Sequence, residues 1–310
     1  MRYLKPIFLF IAMAVLASGC GSPQDSNSDD TELTIYTSVY PIQYIAERIS
    51  GDLAAVETIY PPGVDAHSYE PSTRDMTKIA ESDAFIYLGN QMEPFADAAA
   101  EALQSEKVSL IELGEYEELF LSLDGEHHHE DEEHHHGDFD PHIWLDPIRM
   151  IKMSEVITNH LVEISPENEE LFQENFQTLK KDLTELDEEF QRTLSSQPNR
   201  NILVSHAAYG YWEERYGIKQ ISILGLSSST EPSQQQLTKI IDEAKEHQLK
   251  YILYEQNTSS RISEVIEQEI GLEPLTLHNL AVLTEEDIAN NEDYLSLMRK
   301  NLDTLLKATE

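Results

Sequence analysis

Ser165–Pro198 reads SPENEELFQENFQTLKKDLTELDEEFQRTLSSQP, and this stretch decides the fold. Phe172, Phe176, Leu179, Leu183, Leu186, Phe190 and Leu194 recur every three or four residues, which is the helical period. Ser165-Pro166 reads as an N-cap followed by proline at the first helical position, and Pro198 ends the run. About thirty helical residues span roughly 45 Å at 1.5 Å per residue. A coiled-coil arm is one use for such a helix. The chain holds only one segment of this kind, which favours packing along its neighbours. A helix of this length can stiffen the two halves it joins, so large hinge closure is not expected.

On its N-terminal side, short apolar runs alternate with helical patterns. Strands are expected at Leu33–Tyr36, Ala55–Tyr60, Ala84–Leu88 and Val108–Leu110. Helices are expected at Pro41–Ile49, from the Ser72 cap to Glu81, and at Pro94–Leu103. The C-terminal side has the same style. Strands are expected at Ile202–Val204, Ile221–Leu224, Tyr251–Tyr254 and Leu275–Leu277. Helices are expected at Ala207–Tyr216, Ser233–Glu246, Ser259–Glu269 and Tyr294–Leu306. The pattern predicts an α/β protein with two lobes, each a mainly parallel sheet flanked by helices, joined by one long backbone helix. The expected divisions are a first lobe at 32–164, the linking helix at 165–198 and a second lobe at 199–310.

Residues 1–19 read as an address. Arg2 and Lys5 precede an apolar run from Pro6 to Ala17, too short for a membrane span and suited to a secretory signal. Leu16-Ala17-Ser18-Gly19-Cys20 resembles the lipobox of bacterial lipoproteins, in which Cys20 would be lipidated and become the mature N-terminus. Ordinary signal cleavage with an incidental Cys20 is the alternative. Residues 20–31 are rich in Gly, Ser, Asn and Asp and read as a flexible tether from that anchor.

The chain has 310 residues, with 58 Asp and Glu against 21 Lys and Arg, for a net charge of −37. Such a surface repels phosphate backbones, so a nucleic-acid binder is excluded as the expected class. One cysteine excludes an intrachain disulfide framework and a cysteine-cluster zinc site. With Cys20 used as an anchor, a metal site must use nitrogen and oxygen ligands.

Six of the 12 histidines, His127, His128, His129, His134, His135 and His136, fall between Glu115 and Asp140. That segment has 11 Asp and Glu and no Lys or Arg, so it is expected to be mobile and without a core. It reads as a weak accessory metal-gathering loop, or more plainly as a solvated acidic loop. His160 and His247 sit in helical patterns with polar neighbours and read as surface residues. The remaining four are His67, His142, His206 and His278. His67 follows the second strand, His206 follows the first strand of the second half, and His278 follows Leu275-Thr276-Leu277. His142 lies in Asp140-Pro141-His142-Ile143-Trp144-Leu145-Asp146-Pro147. Ligands of open α/β sheets bind beyond the carboxyl ends of strands, so the four can converge on one cleft. Any one of them alone is an ordinary structural histidine.

Val64–Ser72, Asp140–Pro147 and Ser205–Trp212 resemble, in order, three ligand loops of the metal-binding lipoproteins that serve bacterial ABC importers. Gly225-Leu226-Ser227, Glu231-Pro232-Ser233 and Tyr254-Glu255-Gln256-Asn257 fit the same family. The resemblance runs from about Leu33 to the C-terminus. It is similar to the zinc branch, which carries a His- and acid-rich loop before the second ligand motif. The family often has Asp or Glu at the fourth ligand position, where this chain has His278. Glu255 or a water are the other candidates for that position. Asp140, Asp146 and Glu255 are candidate acceptors for the outer ring N–H groups.

The resemblance implies a membrane-anchored extracytoplasmic receptor that binds Zn²⁺ as transported ligand and delivers it to an ABC permease driven by a cytoplasmic ATPase. A monomer on the outer leaflet of a membrane is expected, and a Gram-positive cytoplasmic membrane is preferred because the tether and anchor suit a cell lacking a periplasm. A nitrogen-rich shell suits zinc over Mg²⁺, Ca²⁺ and Mn²⁺. A receptor for manganese or another divalent metal, and a surface adhesin or zinc store on the same fold, are the alternatives. A secreted metallohydrolase would need a general base beside an open metal position, and no motif supplies one.

Overall fold

The computed structural model describes residues 32–89, 92–93, 95–122, 139–226, 232–256 and 261–310. The expectations for residues 1–31, including Cys20, and for the six histidines of 127–136 lie outside the described residues.

The first half begins with β1 (Leu33–Thr37), α1 (Tyr40–Ser50), β2 (Ala54–Thr58), α2 (Thr73–Ala80), β3 (Ala84–Tyr87), α3 (Ala96–Leu103) and β4 (Ser109–Glu112). The four strands form a parallel sheet in the order β2-β1-β3-β4. Ser72 caps α2 as its sequence suggests, through a reciprocal box with Asp75. Strand β3 is AFIY, buried at every position, as a central parallel strand covered on both faces should be.

A short antiparallel pair follows, β5 (Leu121–Ser122) with β6 (Phe139–Asp140). It corrects the expectation that 115–140 carries no core, because Leu119 is buried and the Phe120 and Phe139 rings meet 6.0 Å apart.

Next come α4 (Pro147–Ile164) and α5 (Glu169–Leu194). The long helix is therefore shorter than its sequence suggests, at 26 residues or about 39 Å. Pro166–Asn168 forms a separate 3-10 turn, and Asn168 is the N-cap. The periodicity is as expected: all seven apolar positions from Phe172 to Leu194 are buried.

The helix reaches both halves. Asn175 donates to the Ile49 carbonyl at 2.8 Å and Asp182 pairs with Arg48 of α1. Further along, Phe190 packs on Trp212 and Tyr216, and Glu189 pairs with Arg299. Asp187 is the one buried charge on this face, held by Arg215 and the Tyr216 hydroxyl.

The second half runs β7 (Asn201–Val204), α6 (Gly210–Tyr216), β8 (Lys219–Ser222), α7 (Gln234–Glu246), β9 (Tyr251–Tyr254), α8 (Arg261–Ile270), β10 (Glu273–Thr276), α9 (Glu285–Ala289) and α10 (Tyr294–Thr309). Its parallel sheet has the order β10-β9-β7-β8. Helix α6 begins three residues later than expected, because His206–Ala208 bends back with the Ala208 N–H on the His206 carbonyl. Strand β8 sits two residues earlier than expected.

One core runs through the first sheet, α4, α5, the inner face of the second sheet and α10. A smaller core, with Leu203, Ile221, Ile240, Ile252 and Ile266, fills the other face of the second sheet. Residues 32–310 form a single compact unit.

Candidate metal centre

Three loops at the ends of β2, β6 and β7 bring three imidazoles together. In the first loop the Asp65 carboxylate accepts from the His67 backbone N–H at 2.9 Å. This turn closes locally, as Asx turns do, and half-buries the ring.

The second loop is fixed by Asp140. One carboxylate oxygen accepts from both the backbone N–H and Nδ1–H of His142, at 3.0 and 2.7 Å. Donation from Nδ1 leaves Nε2 with its lone pair toward the cleft. Asp140 is itself gripped by the second half. The Tyr211 hydroxyl donates to its carbonyl at 2.6 Å. Gly210 lies so close that an added Cβ would stand 2.6 Å from the Asp140 carboxylate.

The third loop begins where β7 ends. His206 Nδ1–H donates to Glu255 at 2.7 Å, and its Nε2–H donates to the Leu226 carbonyl at 2.6 Å. The other Glu255 oxygen accepts from the Asn279 side-chain amide at 3.0 Å.

The three rings meet edge to face, with centroids 5.0 to 5.4 Å apart. His67 Nε2 and His142 Nε2 face each other at 3.3 Å. A tetrahedral zinc ion with bonds of about 2.0–2.1 Å holds its nitrogens roughly 3.3–3.4 Å apart, so this pair already has the spacing of two ligands. One donor atom from each of His67, His142 and His206 lies within 4.8 Å of the others. Among the described residues no other group of three or more His, Cys, Asp or Glu converges in this way.

Charge separates the three. Burial, with His142 and His206 nearby, pushes His67 down to about 3, so it is neutral and ready to bind a metal. At His206 burial acts to lower the pKa, but Glu255 and the Leu226 carbonyl outweigh it and the value is raised. Burial likewise opposes the Glu255 charge, and the His206 hydrogen bond reverses that and lowers its pKa.

The structure does not bring His278 to this group. Its Nδ1 accepts from the Leu280 N–H at 2.9 Å and its Nε2 meets Asp287 at 3.0 Å, so both ring nitrogens are engaged elsewhere. Its backbone is clamped to Asn301 of α10 in both directions. Of the three carboxylates expected behind the ligands, Asp140 and Glu255 stand on outer ring nitrogens. Asp146 does not: it caps α4 and pairs with Arg149 and Arg215. His247 is exposed as expected, whereas His160 is half-buried against the Tyr116 hydroxyl.

Two contributors were missed by sequence reasoning. The Leu226 carbonyl leaves no trace in a sequence. Asn279 does leave one, since neighbouring side chains leaving a strand point opposite ways and the residue beside His278 was the one to weigh.

The chain matches the model of the family described as zinc-uptake complex component A, periplasmic, over residues 35–308. It belongs to this family. It is 34% identical over 318 residues to the zinc-binding lipoprotein AdcA of Streptococcus pneumoniae, covering 99% of this chain and 62% of that protein. The chain therefore spans under two thirds of the length of that relative. It is 31% identical to the high-affinity zinc uptake system protein ZnuA of Bacillus subtilis, covering 96% of this chain and 95% of the relative. The crystal structure of the Zn(II)-bound ZnuA-like domain of Streptococcus pneumoniae AdcA superposes with a TM-score of 0.75 at 33% identity, over 90% of this chain and 99% of that one. The two-sheet, long-helix architecture is thus that of the zinc-uptake family. Among the described residues no helix is long and apolar enough to cross a membrane.

Proposed function

We propose that this protein is an extracytoplasmic zinc receptor, which captures Zn²⁺ between the lobes 32–164 and 199–310 and delivers it to the permease of an ABC importer. The observation that carries this is the convergence of His67, His142 and His206, with Asp140 and Glu255 on outer nitrogens. Carboxylate-backed imidazoles bind zinc well, because the outer hydrogen bond fixes the tautomer and raises ligand basicity. Nitrogen donors favour zinc over Mg²⁺, Ca²⁺ and Mn²⁺. Family membership supports the same cargo and the same destination, a permease with a cytoplasmic ATPase. Cys20 supplies the lipid anchor and residues 20–31 the tether, on the outer leaflet of the membrane. The protein works as a monomer.

The fourth position falls to a water. A cavity of about 40 Å³ opens beside His67 and His142, lined also by Asp65, Glu255, Asn279 and Ala281 among others. A water needs only about 10–15 Å³ and a few polar partners, whereas an ester or peptide substrate needs far more. Glu255 is already engaged by His206 and Asn279, so it is not free to act as a general base. A carrier that binds and releases, with no catalytic step, fits this better than a hydrolase does.

Competition calorimetry on the protein tests the reading. It should take up one tight zinc equivalent, and X-ray absorption should count three imidazole nitrogens and one oxygen. Deleting the gene should impair growth in chelated medium, with rescue by added zinc. A protein that binds no zinc under competition, or a deletion strain indifferent to chelation, overturns the proposal.

A further inference from the structure

We infer that Asn279 is the positioning residue that ties the two arms of the metal shell together and sets how long zinc is retained. The inference rests on the zinc reading above and adds a residue to it.

Asn279 is engaged on every side. Its backbone carbonyl accepts from Trp144 Nε1 at 2.7 Å. Trp144 follows His142 by two residues, is fully buried and packs its ring 5.5 Å from the His142 imidazole. The side-chain amide donates to Glu255 at 3.0 Å, and Glu255 holds His206. One residue of the second half therefore reaches the His142 loop through its main chain and the His206 ring through its side chain.

The orientation of this amide is determined by its partners. Ala281 N–H can only donate, and it lies 3.0 Å from the side-chain oxygen of Asn279. Gln256 closes a reciprocal pair, accepting from the Asn279 backbone N–H and donating to the same side-chain oxygen. The oxygen is thus saturated, and the NH₂ group must point at Glu255. A buried carboxylate given a fixed donor on one oxygen can hold an imidazole with the other. His278 completes the support from behind, since its Nδ1 accepts from Leu280 N–H and its backbone is pinned to Asn301. That gives the histidine a role as a brace for the Asn279 loop.

The test exchanges donor and acceptor. Asn279→Asp sets a carboxylate against Glu255, and Glu255→Gln sets an NH₂ donor against the NH₂ of Asn279. The double variant Glu255→Gln/Asn279→Asp restores a hydrogen-bonded pair of unchanged total charge with its polarity reversed. Zinc release into excess chelator, measured by stopped flow, should be about 10–100-fold faster in each single variant, the range for lost outer-sphere partners. The double variant should recover to within about threefold of wild type. The visible spectrum of the Co²⁺-loaded protein should shift in both single variants and return in the double. Asn279→Ala, which only deletes the side chain, serves if the aspartate variant does not fold, and should also speed release and shift the spectrum.

Single variants that release zinc at the wild-type rate overturn the inference. So does a double variant whose rate is the product of the two single effects. Absence of stoichiometric zinc binding by wild type is a different failure: it overturns the receptor reading itself.

Discussion

His206 and His278 stand in matched places with different surroundings. Each follows a strand of the second sheet, each is buried, and each meets a carboxylate. They differ in the second ring nitrogen. At His206 the outer nitrogen takes Glu255, and Nε2 is left on the side of the cluster with only a carbonyl against it. At His278 a backbone N–H consumes one nitrogen and Asp287 the other. On the receptor reading proposed above, the partners of the two nitrogens make His206 a ligand and His278 a brace.

The largest expected effect separates the two directly. His206→Ala should abolish the tight zinc site, with affinity falling more than about 100-fold, beyond the cost of losing an outer-sphere partner. His278→Ala should keep three-histidine coordination and lose less than about tenfold in affinity. It should instead destabilise the metal-free fold by about 1–3 kcal/mol, because the Leu280 N–H and Asp287 lose a buried partner. Competition calorimetry and thermal melts of the two variants check this. A His278→Ala protein that loses tight binding while staying folded would restore it as a ligand.

Protons sharpen the same comparison. Binding at His206 must release the Nε2 proton, and the raised pKa keeps that proton in place above pH 6.5. Zinc affinity should therefore climb with pH through the raised value, by about tenfold per unit below it for this one proton. His67, held neutral down to about 3, adds nothing to that slope over the same range. In the metal-free protein the stability terms have opposite signs. His206 has a raised folded pKa, so its contribution is full below 6.5 and is lost as pH rises through the raised value. At His278 burial outweighs Asp287 and lowers the pKa. Its contribution is present above 6.5 and is lost as pH falls through the lowered value. Melting temperatures of the metal-free wild type and both alanine variants from pH 5 to 8 should show these opposite trends.

Asp287 offers a smaller contrast. Besides meeting His278, it accepts from the Thr284 backbone and hydroxyl and closes the box that starts α9. Asp287→Ala should cost about 1–2 kcal/mol, within the range for a lost N-cap partner, and leave the zinc stoichiometry at one. The equivalent change behind the ligand, Glu255→Ala, should be felt in affinity first.

These contrasts show what the sequence made legible. The two sheets followed from apolar runs with turn signals, and the α5 face followed from Phe172 to Leu194. Helix α4 is absent from the expected elements although Met150, Met153, Ile157 and Leu161 recur at helical spacing and are all buried, with two polar residues on the same face. Ser154 and Thr158 are buried there and satisfy their hydroxyls on the carbonyls of Met150 and Ser154. These two polar positions sit beside the apolar stripe and leave both it and the helix intact. Strands β5 and β6 are two residues each and too short to show a period. At the site, His67, His142 and His206 were legible because each sits in a recognisable loop. The engagement of both His278 nitrogens was not, because it depends partly on the main-chain N–H of residue 280, which any residue but proline would supply.

The smallest effect concerns the acidic histidine segment. Strands β5 and β6 pair Leu121 with Asp140 and Ser122 with Phe139, which closes the base of that segment next to the carboxylate that orients His142. Removing Glu126–His136 and leaving this base intact should preserve the Asp140–His142 hydrogen bond. The tight site should then change by less than about threefold, while the weak zinc equivalents that neutral imidazoles beside carboxylates can gather disappear. Calorimetry with and without a competing chelator separates the two classes of site. If the deletion weakened the tight site as much as Glu255→Ala does, the six histidines would share in the primary coordination, and the division between binding and bracing would extend beyond the strand ends.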